Sequence, residues 1–314
     1  MQLTTNTRAF IEAEIYSDFI LTNLHDGLLP ETFYRNVSDF GKGETLHIKT
    51  IGTVTLQEAA EDTPLIYNPI ETGEITFRIT DYVGDAWYVT DDLREDGTSI
   101  DRLMAERSVE QTRALQEYKE TRYLETGPLV MQAADPYNVN GFAHKVVKGG
   151  NGVATIDDFL AMRLAFDKAN VPAEGRVAIV DPIVEATLAG LITLTSDITG
   201  WPQQILEGGL ARGQRFMTQW YGWTVIISNR LYTGPANDGT NSIADGVWNL
   251  FMCVADDNTK PILYAQRRAP RAEGERNKDR ARDEFVVRER YGFGVQRLDT
   301  VAVLVTHRTN RVAA

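Results

Sequence analysis

The alternation of apolar and polar residues divides this chain into regions with different predicted structures. Between residues 41 and 90, apolar residues recur at every second position in two runs, around Ile48 and around Phe77. This period of two predicts two β-strands. The segment between the runs, Glu58 to Thr72, holds two prolines and several acids, so we expect one long hairpin with a broad acidic tip. Two strands alone are marginal in water, and the hairpin therefore needs another surface to cover it.

Helical patterns lie on both sides of this hairpin. Thr7 to Leu24 places five apolar residues on one side of a short helix, which forms an arm rather than a domain. Ser99 to Glu125 contains strong helix formers and neither proline nor glycine, and Gly127-Pro128 is its expected end. Such a helix would be about 40 Å long. Few of its residues are apolar for a helix of that length, so much of the helix should lie along a surface or an interface.

The region from Thr155 to Tyr264 has the most conventional α/β pattern. Thr155 and Asp158 have the spacing of a capping box. Asp181-Pro182 is typical of the start of another helix, with Asp181 as the N-cap and Pro182 at the first helical position. The elements expected there are a helix that begins at Thr155 and ends at Asn170, a strand at Arg176–Val180, a helix opened by Asp181 and Pro182, and strands at Gly222–Asn229 and Trp248–Val254.

The last 50 residues combine a charged run with an apolar end. Arg267 to Arg290 is rich in arginines and acids, and a terminal run of this kind is usually a solvated or disordered tail. The chain then returns to Val301–Val305, whose continuous apolar residues predict a fully buried strand. The C-terminus should therefore belong to a core.

Composition and charge narrow the classes of function. The 314 residues are 43% hydrophobic and 24% charged, which fits one large domain or two or three interleaved ones. A formal net charge of −12 argues against a sequence-specific DNA-binding protein, since phosphate contacts need clustered lysines and arginines. The single cysteine, Cys253, permits no internal disulfide and fits a reducing cytoplasm. We find neither a signal peptide nor a run of apolar residues long enough to span a membrane.

The sequence offers few candidates for catalysis. It contains no P-loop, dinucleotide-binding, nucleophile-elbow or zinc-protease motif. We interpret the histidines, which are far apart, as structural, and Cys253, in an apolar run, as a buried thiol. Asp256-Asp257 and Glu61-Asp62 are paired carboxylates, and we interpret them as solvated turns. We assign no catalytic, cofactor-binding or metal-binding residues, and a soluble α/β enzyme with an unrecognised site remains the more distant alternative.

The ordered series of these elements resembles the major capsid proteins of tailed bacteriophages. The resemblance rests on the long hairpin, the long charged helix, the segment Val171–Pro182, the strand Gly222–Leu231, and the ending with Tyr291-Gly292-Phe293-Gly294-Val295 before the last strand. It covers nearly the whole chain and implies an α+β structure, the Hong Kong 97-type capsid fold. An encapsulin-like nanocompartment shell protein shares this fold and is the nearest alternative.

The resemblance implies a division of the chain into domains. Residues 1–40 would be the N-terminal arm and 41–90 the extended hairpin loop. Residues 91–150, with the long spine helix, and 267–314, which would complete its sheet, would form the peripheral domain. Residues 151–266 would form the axial domain.

The partners implied are other copies of the chain, in hexamers and pentamers of an icosahedral shell around double-stranded DNA. Because about 40 residues precede the hairpin, a separate scaffolding protein is implied, together with a portal protein, and a decoration protein is a further candidate. The subunits would assemble in the host bacterial cytoplasm and reside in the virion capsid. We expect no membrane partner and no sequence-specific contact with the DNA.

Charge suggests which residues join neighbouring subunits. Arginine forks suit interfacial carboxylates, so arginines of the charged run could pair with acids of a neighbour's hairpin tip. The candidate contacts are Glu58, Glu61, Asp62, Arg267, Arg268, Arg271, Arg276, Arg280 and Arg282.

Overall fold

The structure is a computed structural model of the chain. It describes residues 29, 33–38, 45–51, 57–58, 72–96, 100–149, 152–187 and 216–310. The predicted helix Thr7–Leu24 and most of the predicted hairpin tip lie outside these residues.

Three helices and fifteen strands occur in the described residues, and residues 182–187 are also helical. The helices are α1 Asp91–Asp96, α2 Ile100–Val130 and α3 Ile156–Lys168. The strands are β1 Arg35–Asn36, β2 Thr45–Ile51, β3 Thr72–Arg78, β4 Asp81–Thr90, β5 Asn138–Val139, β6 Phe142–Ala143, β7 Lys145–Val147, β8 Arg176–Val180, β9 Phe216–Trp220, β10 Trp223–Ile227, β11 Thr233–Asn237, β12 Ser242–Cys253, β13 Ile262–Asn277, β14 Arg282–Val295 and β15 Val301–His307.

A seven-stranded sheet forms the largest core. Its strands follow the order β7-β15-β12-β8-β10-β9, and β11 pairs with β12. One face packs against α3 through aromatic residues that include Phe159 and Trp223, and the other face packs against the C-terminal part of α2 at Tyr123 and Leu124. Because both faces are covered, the strands carry continuous apolar runs. The buried strands predicted at Arg176–Val180 and at the C-terminus are confirmed.

A second, four-stranded sheet has the order β1-β13-β14-β4. β13 and β14 form a long hairpin over the charged run, so this run is not a solvated or disordered tail. The reason is that apolar residues such as Ala272 of β13 and Val287 of β14 lie on the side towards α2, and Trp87 of β4 stacks on Phe285 of β14 at 4.4 Å between ring centroids.

Strand pairing differs from the expected division into domains at two places. β15, which was expected to complete the sheet of the peripheral domain, pairs instead with β12 and β7 in the seven-stranded sheet. β4, expected in the extended hairpin loop, pairs with β14 along its whole length. The boundaries at residues 90 and 267 therefore do not coincide with the sheets.

The long helix α2 continues to Val130, beyond the end predicted at Gly127-Pro128. Gly127 does not terminate the helix, because it lies buried against the seven-stranded sheet, where an added Cβ would be 3.1 Å from Leu250 Cδ2. Side chains from downstream cap the last turn: Tyr137 Oη donates to Val130 O at 2.9 Å, and the buried Lys145 Nζ donates to Met131 O at 2.7 Å. These donors satisfy carbonyls that a helix end leaves free.

The start of α3 follows the sequence prediction. Asp158 accepts a hydrogen bond from the backbone N–H of Thr155 at 2.7 Å, as in a capping box. At the other end, the buried Arg176 donates to Val171 O at 2.6 Å and to Pro172 O at 2.8 Å, and it pairs with Asp167 at 2.7 Å. This arginine therefore joins the end of α3 to β8.

We expect Arg176→Met to lower the free energy of unfolding by about 2 kcal/mol, because it leaves the buried carbonyl of Val171 without its charged donor and also removes the hydrogen bond to Pro172 O. Denaturant titration of the purified subunit measures the change. Arg163→Met is the matched control, since Arg163 approaches the same Asp167 only at 3.9 Å and is half exposed. Equal losses in the two variants would contradict this role for Arg176.

A second prediction concerns His144, which is fully buried and stacks on Phe166. Its Nε2 has no hydrogen-bond partner among the described residues. Burial lowers the pKa of His144 below its ordinary 6.5, and the nearby Phe142 carbonyl and Asp299 oppose this shift only in part. The unfolded chain then binds the proton more readily, so stability falls as the pH drops through 6.5.

Denaturant midpoints measured at pH 7.5 and pH 5.5 check this dependence. We expect His144→Gln to lose less stability between the two pH values than the wild type. Identical pH dependence in the two proteins would exclude His144 as the cause.

Candidate subunit interface

The hairpin predicted from the period-two pattern is confirmed as the antiparallel pair β2–β3. Leu46 lies opposite Phe77 and Ile48 opposite Ile75. Phe77, at the base, is 2% exposed, whereas Thr72 to Glu74, farther out, are exposed. The hairpin is therefore buried where it joins the subunit and becomes exposed away from it.

The base of the hairpin packs on the four-stranded sheet. Phe77 and Ile79 form a buried cluster with Leu263 and Ala265 of β13, and Leu46 and Ile48 pack against this cluster. The outer side of the hairpin is polar, with an ion pair between His47 and Glu74.

The alternation of residues along β4 separates the two faces of the four-stranded sheet. Asp81, Asp85 and Trp87 contact α2: Asp81 pairs with Arg122 at 2.9 Å, Asp85 pairs with Arg107 at 2.7 Å, and Trp87 Nε1 donates to Gln111 Oε1 at 3.4 Å. Successive side chains of a strand point to opposite faces. The other set is exposed, with Tyr82 58% and Tyr88 57% accessible. We call this side of β4, β14 and β13 the outward face.

Strand register places a group of charged residues on the outward face. Tyr82 lies opposite Arg290 and Gly84 opposite Arg288, and across β13 Arg290 is opposite Arg268 and Arg288 opposite Arg271. The arginines of this face are Arg268, Arg271, Arg282, Arg288 and Arg290, and the acids are Glu273, Glu275 and Glu284. The face is therefore locally basic on an acidic protein.

Some of these charges are paired within the chain. Arg268 pairs with Glu273 at 3.0 Å. Arg282 pairs with Glu284 at 2.7 Å, and its guanidinium lies 4.3 Å from the ring centroid of Tyr88. Hydrogen bonds from Asn277 and from Arg282 lower the pKa of Glu284. By contrast, Arg271 and Arg288 face each other directly, and like charges in this position destabilise a sheet.

Arg276, which was also predicted as a contact between subunits, does not lie on the outward face. Its guanidinium donates to both carboxylate oxygens of Asp91, with 2.6 Å to Oδ2, and to Asp283 at 3.3 Å. This hydrogen bonding lowers the pKa of Asp91. Arg94 also pairs with Asp283, at 2.6 Å. Arg276 thus fastens α1 to the end of the β13–β14 hairpin within its own chain.

The structure brings together only some of the predicted contact residues. Arg267, Arg268 and Tyr82 line one hollow on the outward face, together with Thr80 and Arg290. Arg280 lies in the exposed turn between β13 and β14. Glu58 is exposed, while Glu61 and Asp62 lie outside the described residues.

The outward face also holds four residues that were not among the predicted contacts: Tyr82, Tyr88, Arg288 and Arg290. A signal for them was present, because Arg288 and Arg290 are two positions apart, as are Phe285 and Val287 on the other face. This is the period of a strand. The period was not recognised, because charged residues occur on both sides of the strand.

A larger cleft separates α2 from the inner side of β13 and β14. Its volume is about 790 Å³, and its lining mixes aromatic residues such as Tyr34 and Tyr264 with charged ones such as Lys119 and Glu120. Glu120 accepts a hydrogen bond from the backbone N–H of Leu29 at 3.1 Å, so the start of the described chain lies at this cleft.

Sites for chemistry are not evident in the part of the chain that the structure describes. It contains no group of three or more His, Cys, Asp or Glu residues placed to hold a metal ion. Cys253 is buried, with its Sγ 3.5 Å from the carbonyl oxygen of Glu174. None of the described helices has the length and apolar character needed to cross a membrane.

Solved capsid structures share this fold. The capsid structure of cyanophage P-SCSP1u is 17% identical, covers 96% of this chain and 95% of its own, and has a TM-score of 0.68. The mature capsid of bacteriophage PhiM1 is 10% identical over 96% and 93%, with a TM-score of 0.70. The capsid of Ralstonia phage GP4 is 12% identical over 97% of each chain, with a TM-score of 0.63.

The fold is therefore the Hong Kong 97-like fold of phage capsid proteins. No curated protein matches the chain significantly. The family model described as phage capsid protein matches residues 72–306, a range that includes the outward face, α2 and the seven-stranded sheet. The chain belongs to the phage capsid protein family, and it is a structural subunit of a capsid.

Proposed function

We propose that this subunit assembles into hexamers and pentamers, which close into the icosahedral shell around the double-stranded DNA genome of a tailed phage. The proposal rests on one observation: the same subunit has both an exposed hairpin and an exposed, charged sheet face. Each feature needs a partner surface, and a ring of identical subunits supplies both.

The domains follow the sheets in this proposal. Residues 1–40 remain the arm, and the extended loop is the β2–β3 hairpin within 41–80. The peripheral domain contains β4, α1, α2, β13 and β14. The axial domain contains α3 and the seven-stranded sheet, with β15 added to the range 151–266.

We place the acidic hairpin tip of one subunit on the outward face of its neighbour. Glu58, Glu61 and Asp62 carry the complementary charge to Arg267, Arg268 and Arg271. The direct opposition of Arg271 and Arg288 supports this contact, because a carboxylate between two like charges relieves their repulsion. Arg276, already bound to Asp91, has no part in it, and Arg280 and Arg282 lie at the far end of the face.

The remaining partners are proposed on the same basis. A scaffolding protein and a portal protein would act during assembly in the host bacterial cytoplasm, and a decoration protein is a further candidate partner of the finished shell. An encapsulin-like compartment is not favoured, because the matching family model is that of phage capsid proteins. The subunit needs no catalytic residue for this role.

Charge reversal tests the hairpin contact. Glu61→Lys with Asp62→Lys should abolish closed shells under conditions in which the wild type forms them, while circular dichroism shows a folded subunit. Arg271→Glu with Arg288→Glu should have the same effect, and the four changes together should restore shells because the charges are exchanged. Negative-stain electron microscopy and size-exclusion chromatography measure the outcome.

Asp256→Lys with Asp257→Lys is the matched control, since it reverses an adjacent acidic pair in an exposed turn and should leave shells intact. Normal assembly of either reversed pair, or a combined variant no better than its parents, would contradict the contact.

A second test concerns the packaged DNA. The chain has a net charge of −12, so its shells offer phosphates few fixed cations, and packaged DNA can move along the wall without adhering. We expect purified empty shells to bind DNA only weakly at about 0.15 M salt, as measured by filter binding. Tight binding under these conditions would contradict this part of the proposal.

A further inference from the structure

The segment Tyr291–Val295 alternates aromatic residues with glycines. Tyr291 and Phe293 point to the same side of β14 as Tyr264 and Tyr34, with which they form an aromatic cluster. Gly292 and Gly294, at the intervening positions, therefore belong to the other side. That side carries the base of the hairpin. We call these two residues the glycine pair.

The chain that leads from the hairpin to β4 lies directly on the glycine pair. A Cβ added to Gly294 would be 2.5 Å from Cδ2 of the Phe77 ring. A Cβ added to Gly292 would be 2.9 Å from both Arg78 O and Ile79 Cα. Real Cβ atoms do not approach other atoms this closely, so neither position accepts a side chain without movement of residues 77–79.

These two positions require glycine because no space is left for a side chain, and not because of the backbone conformation. Neither has a positive φ, and each pairs in regular register with β13, Gly292 with Ala265 and Gly294 with Leu263. Glycine inside a strand is unfavourable for stability, and in strands it often marks a close approach of another backbone. Here the approaching backbone is the base of the hairpin, where Phe77 and Ile79 are almost completely buried.

We propose that the glycine pair fixes the direction in which the hairpin leaves the subunit, so that Gly292 and Gly294 are positioning residues for assembly. The role in assembly rests on the hairpin contact proposed above, whereas the directing role does not. The seven-residue strands of the hairpin extend about 20 Å from this base. A small displacement of Phe77 or Ile79 is therefore enlarged at the far end.

The test compares Gly→Ala variants at three strand positions. Gly294→Ala and Gly292→Ala place a methyl group under the hairpin. Gly274→Ala is the control, because Gly274 lies in the same β13–β14 hairpin but its Cβ would meet the Phe285 ring at 3.3 Å and the nearest backbone atom, Glu284 O, only at 3.9 Å. Adding Phe77→Leu removes Cε2 of the ring, 3.0 Å from a Cβ at residue 294, and replaces the planar Cδ atoms with methyl groups that can rotate away from this residue, but it leaves the backbone that obstructs residue 292.

Pulsed electron spin resonance reports the direction of the hairpin. Spin labels are placed at the exposed positions Lys49 of β2 and Asp157 of α3, in a Cys253→Ala background, with labelled chains diluted in unlabelled ones. We expect Gly294→Ala and Gly292→Ala to shift or broaden the distance distribution and to lose closed shells. The Gly274→Ala distribution should match the parent. Phe77→Leu should restore the distribution of Gly294→Ala and not that of Gly292→Ala.

The outcomes separate the two proposals. An unchanged distance distribution in Gly294→Ala and Gly292→Ala, with thermal unfolding showing folded subunits, would overturn the directing role. Equal rescue of both variants by Phe77→Leu would also overturn it, since the two glycines face different obstacles. A shifted distribution with normal shells would instead uphold the directing role and count against the hairpin contact.

Discussion

A β-sheet has two faces, and this chain covers the two faces of its four-stranded sheet differently. The long helix α2 lies along one face and holds β4 through ion pairs to Asp81 and Asp85. Among the described residues, the other face receives only the base of the hairpin at one end, and its remainder presents arginines, glutamates and tyrosines to the outside. The proposed contact between subunits follows from this asymmetry, since the described part of the chain covers neither this face nor the outer part of the hairpin.

Much of the fold could be predicted from local patterns. The strand at Val301–Val305, the strand Arg176–Val180 and the capping box at Thr155 depend on nearby residues, and their periods are unbroken. The strands β13 and β14 were missed, because charges on both of their sides obscure the period of two that β14 carries, and because the helix α2 that covers one side is distant in sequence. The end of α2 was misplaced for a similar reason: Gly127 is a packing position, and the capping donors Tyr137 and Lys145 come from outside the helix.

The candidate interface shows the same limit. Charge alone singled out the arginines from Arg267 to Arg282, but strand register decides which of them act together. It places Arg268 and Arg271 beside Arg288 and Arg290, and it assigns Arg276 to Asp91 of the same chain. In the proposed function, the acidic balance of the whole protein and the basic character of this one face are compatible, because a shell subunit would need local complementarity to its neighbours and little attraction for enclosed DNA.

In the proposed shell, the hairpin of one subunit covers the outward face of another. A cryo-electron microscopy reconstruction of assembled shells tests it most directly. We predict that β2–β3 of each subunit lies across β4, β14 and β13 of a neighbour, with the acidic tip beside Arg271 and Arg288. A shell in which the outward face stays open to solvent, or in which each hairpin folds onto its own subunit, would contradict the claim.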